Sequence, residues 1–167
     1  GGPGQVQLFG SGPLLREALR ARELLADRFE VAADVWSVTS YKELRRDALA
    51  VERWNLRHPG ATPRRSYLDE ALGGVEGPFV AVSDYMKLVP EQIARFLPGP
   101  LTVLGTDGFG RSDTRPALRR HFEVDAEHVA YAALHALAHS SQFEPKRLPR
   151  AAEELGIDPD QPDPVTQ

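Results

Sequence analysis

Short β-branched and aromatic runs alternate with helical stripes along most of this chain, and that alternation predicts an α/β protein with a mainly parallel sheet and helices on both faces. A nearly continuous apolar run, Pro78 to Ser83, supplies a candidate central strand buried on both sides. Glycine-rich exits after the runs at residues 6–9 and 101–104 supply the turns that such a fold needs.

The elements follow in order. Val6 to Phe9 reads as a short strand, and Gly10-Ser11-Gly12-Pro13 turns the chain into a helix. In that helix Leu14, Leu15, Ala18, Leu19, Arg22, Leu25 and Phe29 recur at three- and four-residue steps, so one stripe is buried. Ala33 to Val38 forms the second strand. Ser40 follows at an N-cap position, with Glu43 three residues later in a capping-box pattern, and a helix is expected from Tyr41 to about Trp54. Pro59 to Pro63 marks an irregular connection. After the third strand a helix is expected over Pro90–Phe96, then a fourth strand over Leu101–Leu104 with Gly105-Thr106-Asp107-Gly108 as its exit. Helices at about Arg115–His121, Asp125–Ser140 and Leu148–Leu155 complete the pattern.

The chain has 167 residues, 41% hydrophobic and 26% charged, the make-up of one globular domain. A domain of this size buries roughly 70% of its unfolded surface and folds without a metal or disulfide. It contains no cysteine, which excludes disulfide scaffolds, thiolate metal sites and thiol nucleophiles. No apolar run approaches the ~20 residues of a membrane-spanning helix. The opening GGPGQVQ lacks a signal peptide's basic and apolar regions, so a cytoplasmic protein is expected. The formal net charge is −4 with both signs interspersed, which argues against nucleic acid as a partner. Arg115, Arg119 and Arg120, the densest basic cluster, read as a solvated helix face rather than a phosphate-binding surface. Residues 1–4 read as a flexible lead-in, 5–157 as the domain, and 158–167, rich in Pro and Asp, as a fraying tail.

The most distinctive segment is Gly105-Thr106-Asp107-Gly108-Phe109-Gly110-Arg111-Ser112-Asp113, between a predicted parallel strand and a helix, where open α/β sheets place ligands. It is neither a GxGxxG fingerprint nor a Walker A loop, and a contact or binding role stands beside that of a plain turn, with Ser112 or Asp113 as helix cap. Asp84-Tyr85-Met86-Lys87, after the third strand, either presents these groups to a partner or packs Tyr85 and Met86 under a helix. His128, His135 and His139 fall near one face of a helix, but without an HExxH arrangement they read as surface or interface histidines rather than metal ligands. Gly10-Ser11-Gly12 lacks the full GxSxG pattern, so no hydrolase is read from it.

Three groups of residues together carry a family resemblance. They are Asp34-Val35-Trp36-Ser37-Val38-Thr39-Ser40 with Glu52-Arg53-Trp54-Asn55 and His58-Pro59; Ser83-Asp84-Tyr85-Met86-Lys87-Leu88; and the Gly105–Asp113 segment with His121-Phe122-Glu123-Val124-Asp125. In order and spacing they resemble the C-terminal domain of homodimeric bacterial pyruvate dehydrogenase E1 components over nearly the whole chain. The Phe109-Gly110-x-Ser112 core also resembles transketolase C-terminal domains at large.

The resemblance implies a three-layer α/β/α sandwich with a mostly parallel five-stranded sheet, one strand more than the residues alone show. It implies an oxidoreductase of the pyruvate dehydrogenase complex, acting on the product of glycolysis. That enzyme uses thiamine diphosphate and Mg2+ in its N-terminal domains and passes an acetyl unit to the lipoyl group of E2. The family's catalytic, cofactor and metal residues lie upstream of the matched region, so none is carried over and the chain alone is expected to be inactive. The loops with Asp84, Tyr85, Met86 and Lys87, and with Asp107, Phe109, Arg111, Ser112 and Asp113, are expected to face the rest of the protomer or the dimer partner, or to frame the approach to the active site. Two other readings stand beside this one. One is a free-standing α/β module that binds a ligand or protein at its strand ends. The other is a transketolase-type enzyme acting on a sugar phosphate, against which Arg111 and Lys87 alone make a poor phosphate clamp.

Overall fold

The structure, a computed structural model, describes residues 4–108 and 110–166. Strands β1 (Gln5–Gly10), β2 (Ala32–Ser37), β3 (Phe79–Val82) and β4 (Leu101–Leu104) form a wholly parallel sheet in the order β2-β1-β3-β4. The helices are α1 (Leu15–Phe29), α2 (Tyr41–Arg57), α3 (Tyr67–Leu72), α4 (Leu88–Glu91), α5 (Arg115–His121), α6 (Ala126–His139) and α7 (Leu148–Leu155). The predicted α/β class and the four strands read from the residues are present. The sheet has four strands among the described residues, not the five that the resemblance implies.

Period-two alternation in the strands sorts the core into two halves. Val6, Leu8, Val80 and Val82 pack against Leu25 of α1, Leu134 of α6 and Leu155 of α7. Phe9, Phe79 and Ala81 face the other way, against Tyr41 of α2, Leu68 and Leu72 of α3, and Ile93. The result is the three-layer sandwich. Each fully buried Leu, Val or Phe contributes roughly 2 kcal/mol relative to exposure, which is why the β3 run, buried at every position, sits at the centre.

One buried polar side chain interrupts the second half. Gln7 is fully buried in β1, and its amide is satisfied by neighbours: Trp36 Nε1–H donates to its Oε1 at 2.8 Å, while its Nε2 donates to the Glu76 carbonyl at 3.0 Å and to Asp34 Oδ2 at 3.3 Å. Asp34 and Trp36 therefore lock β2 onto β1. Glu52 forms a bidentate pair with Arg95 at 2.9 and 2.7 Å, and Asn55 clamps the Arg64 backbone in both directions at 3.0 and 2.8 Å. Trp54 stacks between His58 and the Arg64 guanidinium. Asn55, Trp54, His58 and Arg64 hold the connection from α2 to α3, while the Glu52–Arg95 pair ties α2 to the turn at Ala94–Phe96.

Differences from the sequence reading are local. Helix α3 is additional. Its signal is Ser66-x-x-Asp69, a reciprocal capping box in which Ser66 Oγ accepts the Asp69 N–H and Asp69 accepts the Ser66 N–H. The helix expected over Pro90–Phe96 is instead the short α4 and a 3-10 turn, Ala94–Phe96, because i→i+3 bonds (Ile93 to Pro90, Leu97 to Ala94) tighten the chain where Ile93 enters the core. Of the lead-in, Gly4 is buried and its carbonyl accepts the Ala32 N–H at 2.9 Å. The tail carries a 3-10 turn, Pro164–Thr166, beside Gly108. No described helix is long and apolar enough to cross a membrane.

Candidate functional site

Helix α1 carries the chain from β1 outward to β2, whereas the later connections carry it through β3 to β4 on the other side. The order of the strands thus reverses between β1 and β3, and such a switch point opens a crevice at the carboxyl ends of the strands. The sequence-predicted loops lie here. Ser83 continues the ladder, its N–H donating to the Leu104 carbonyl at 3.0 Å. The Thr106 N–H donates to the Tyr85 carbonyl at 3.0 Å, Thr106 Oγ1 donates to the Asp84 carbonyl, and the Lys87 N–H donates to Asp107 Oδ1 at 3.0 Å. A side chain on Gly105 has no room: its Cβ would lie 2.7 Å from the Tyr85 carbonyl oxygen and 2.9 Å from the Lys87 nitrogen.

Two loops are thereby joined into one platform, which brings Asp84, Tyr85, Lys87 and Asp107 together. Tyr85 and Met86 do not pack under a helix. They are 65% and 56% exposed, and Leu88 beside them is 66% exposed, so the apolar groups form an outward patch. Ser112 and Asp113 stand apart in solvent. Neither side chain caps α5; the N-cap is Thr114, whose N–H donates to Asp113 Oδ1 at 2.7 Å. Phe109, expected in the same contact set, lies outside the described residues.

Beside the platform is a cleft of about 540 Å³ whose lining includes Leu14, Asp84, Thr106, Arg111, Arg115 and Arg119. The helix face read from sequence as solvated is therefore divided. Arg115 and Arg119 turn to the cleft and join Arg111, whereas Arg120 pairs with Asp125 at 3.2 Å and donates to the Gly156 carbonyl. Arg119 is held from behind by the buried Glu17 carboxylate at 2.7 Å. Sequence reasoning missed Glu17, because one acid among the three of α1 carries no mark of burial. A second cleft, about 640 Å³, lies between the end of β2 and helices α2 and α3 and includes Trp36, Leu44, Tyr67 and Leu68.

The three histidines of α6 do not share one environment. His128 is buried, with Nδ1–H donating to Asp125 Oδ1 at 2.6 Å, while His135 and His139 are exposed and meet edge to face at 4.7 Å. The reason is that the amino end of α6 is enclosed by Glu17 of α1 and Asp125, whereas farther along the helix the face carrying His135 and His139 is exposed even though Leu134 and Leu137 are buried. Ser11 is buried and its hydroxyl has no hydrogen-bond partner among the described residues.

Residues 2–125 match the family described as Transketolase-like TK C-terminal domain. The chain belongs to this family. It is 55% identical over 161 residues to the pyruvate dehydrogenase E1 component of Pseudomonas aeruginosa, covering 96% of this chain and 18% of that protein. It is 49% identical over 154 residues to the Mycobacterium tuberculosis protein of the same name (92% and 17%), and 47% identical over 165 residues to that of Escherichia coli K12 (98% and 18%). The chain thus spans less than a fifth of the length of these relatives. As a transketolase C-terminal domain homologous to part of E1, it retains that family's α/β architecture.

Proposed function

We propose that this chain serves as the C-terminal structural and assembly domain of a homodimeric pyruvate dehydrogenase E1 component. In this reading the whole enzyme, in the cytoplasm, uses thiamine diphosphate and Mg2+ to decarboxylate pyruvate and acetylates the lipoyl group of the E2 acetyltransferase. The domain itself supplies surface and rigidity and no reacting group. In this reading the cofactor and its metal belong to the rest of the enzyme, as the resemblance implies; among the described residues no group of three His, Asp or Glu side chains that could hold a metal ion is present.

The observation that carries the reading is the exposed apolar patch of Tyr85, Met86 and Leu88, set on a platform stiffened by the Asp107–Lys87 bond. A rigid apolar surface rimmed by Asp84 and Lys87 suits permanent contact with another domain. The patch, together with Arg111, Ser112 and Asp113 of the neighbouring loop, faces the remainder of the E1 protomer or its partner.

The test is the double variant Met86→Glu/Leu88→Glu, made in this chain and in full-length E1. Both positions are exposed, so the isolated chain keeps its melting temperature, while the full-length dimer dissociates at least about tenfold more readily. An unchanged dimer dissociation constant and unchanged E1 activity would overturn the interface reading. Tight, stoichiometric binding of thiamine diphosphate and Mg2+ by this chain alone, measured by calorimetry, would overturn the assignment of the cofactor to other domains.

A further inference from the structure

We infer that the switch-point cleft is a binding site for a small organic anion, a phosphate monoester with an apolar body. Three features converge there. The first is charge: Arg111 and Arg115 line the cleft, and neither has an ion-pair partner among the described residues. Guanidinium groups offer forked donors that match phosphate oxygens, and two without a carboxylate partner complement a dianionic head better than a single lysine would.

The second is pre-organisation. Arg119, 23% exposed, is fixed by the 2.7 Å bond to Glu17, which also accepts the Ala126 N–H at 3.0 Å. The third guanidinium is therefore held at the cleft wall before any ligand arrives, and little side-chain entropy is lost on binding.

The third is the rest of the lining. Leu14, Leu118, Phe122 and Val124 form an apolar wall beside the arginines. Asp84 and Thr106 lie on the same lining, and the Asp84 carboxylate would repel a bare anion placed next to it. The acid group consequently belongs on the arginine side, with the apolar body against Leu14 and Phe122, and a ligand hydroxyl or ammonium can donate to Asp84. A cleft of about 540 Å³ suits a small molecule of this kind. The site adjoins the apolar platform patch and shares Asp84 and Arg111 with the proposed contact surface; it is therefore read on this chain alone, whereas the assembly role is read on the full-length dimer, so failure of one is distinguishable from failure of the other.

The probes are phenyl phosphate and inorganic phosphate, titrated into this chain with amide NMR shifts as readout. Expected are saturable shifts at Leu14, Thr106 and Arg115, with phenyl phosphate binding about tenfold more tightly than inorganic phosphate because its ring is buried. Arg115→Gln and Arg111→Gln, both at exposed positions, each weaken phenyl phosphate about tenfold with circular dichroism unchanged. Arg53→Gln, on the exposed face of α2, leaves binding unaffected. Shifts that fail to saturate into the millimolar range, or an equal loss from Arg53→Gln, would overturn the proposal. So would equal affinities for the two probes.

Discussion

Asp107 accepts the backbone N–H of Lys87 at 3.0 Å, and this bond joins the two made by Thr106 in tying the exit of β4 to the exit of β3. A hydrogen bond to a charged acceptor contributes roughly 1.5 to 3 kcal/mol locally. Asp107→Ala is expected to raise the hydrogen-exchange rate of the Lys87 amide by about tenfold or more, with core amides of β3 unchanged. Asp107→Asn, which keeps an acceptor oxygen, should show a smaller effect. Unaltered exchange at Lys87 in the alanine variant would mean that the ladder around Gly105, and not Asp107, sets the platform.

Glu17 joins three elements. Its carboxylate, 4% exposed, accepts from Arg119 of α5, Arg20 of α1 and the amide that opens α6. Removing one partner of a buried, hydrogen-bonded ion pair strands the others. Glu17→Ala is expected to destabilise the chain by roughly 3 kcal/mol, seen as a lower urea midpoint at unchanged slope. A loss within about 0.5 kcal/mol, typical of a surface position, would contradict this account.

The strand runs, most of the α1 stripe and the Ser40 cap were legible because each is a local pattern that burial reads directly, although Arg22 of that stripe is exposed and Ala21 is buried in its place. Glu17 and Arg119 were not, since charged helix residues are usually solvated and only the packing of α1 against α5 and α6 encloses them. The same limit applies to the α5 arginines: spacing placed them on one helix, but nothing in the spacing told which would turn to a cleft formed with residues from the segments that follow β1, β3 and β4. Tyr85 and Met86 fail in the opposite sense. Apolar side chains at a strand end suggest packing, and their exposure follows from the platform bonds that hold the loop outward.

Tyr41 carries a buried hydroxyl with no partner among the described residues, in the core half that holds Phe9 and Phe79. Burial pushes its phenol well above the ordinary tyrosine range. An unpaired buried hydroxyl costs about 1 kcal/mol or more, so Tyr41→Phe is expected to leave stability unchanged or raise it by about 1 kcal/mol. Tyr41→Ala should lose about 3 kcal/mol or more by opening a cavity. Thermal unfolding distinguishes the two, and a clear loss on Tyr41→Phe would show that the hydroxyl is paired in solution.

Asp125 makes acid stability part of the same network. Burial pushes its carboxyl upward, but the bonds from the His128 ring and backbone N–H, together with the charges of His128 and Arg120, outweigh it and hold the group below the ordinary carboxylate range. Asp69 is held low as well, by the Ser66 backbone and side-chain bonds, against burial and with help from Arg65. A carboxyl whose folded value is depressed contributes fully above its unfolded value of about 4 and loses that contribution as pH falls through the folded value. The unfolded chain then binds more protons, so stability must fall with falling pH in that window. Asp125→Asn retains a cap for α6 while removing the titration. It is expected to be less stable at neutral pH, to show a shallower decline below about pH 4, and to converge on the unmodified chain at the acid end. Urea unfolding across that range checks this, and parallel stability curves for the two proteins would exclude Asp125 as a source of the acid dependence.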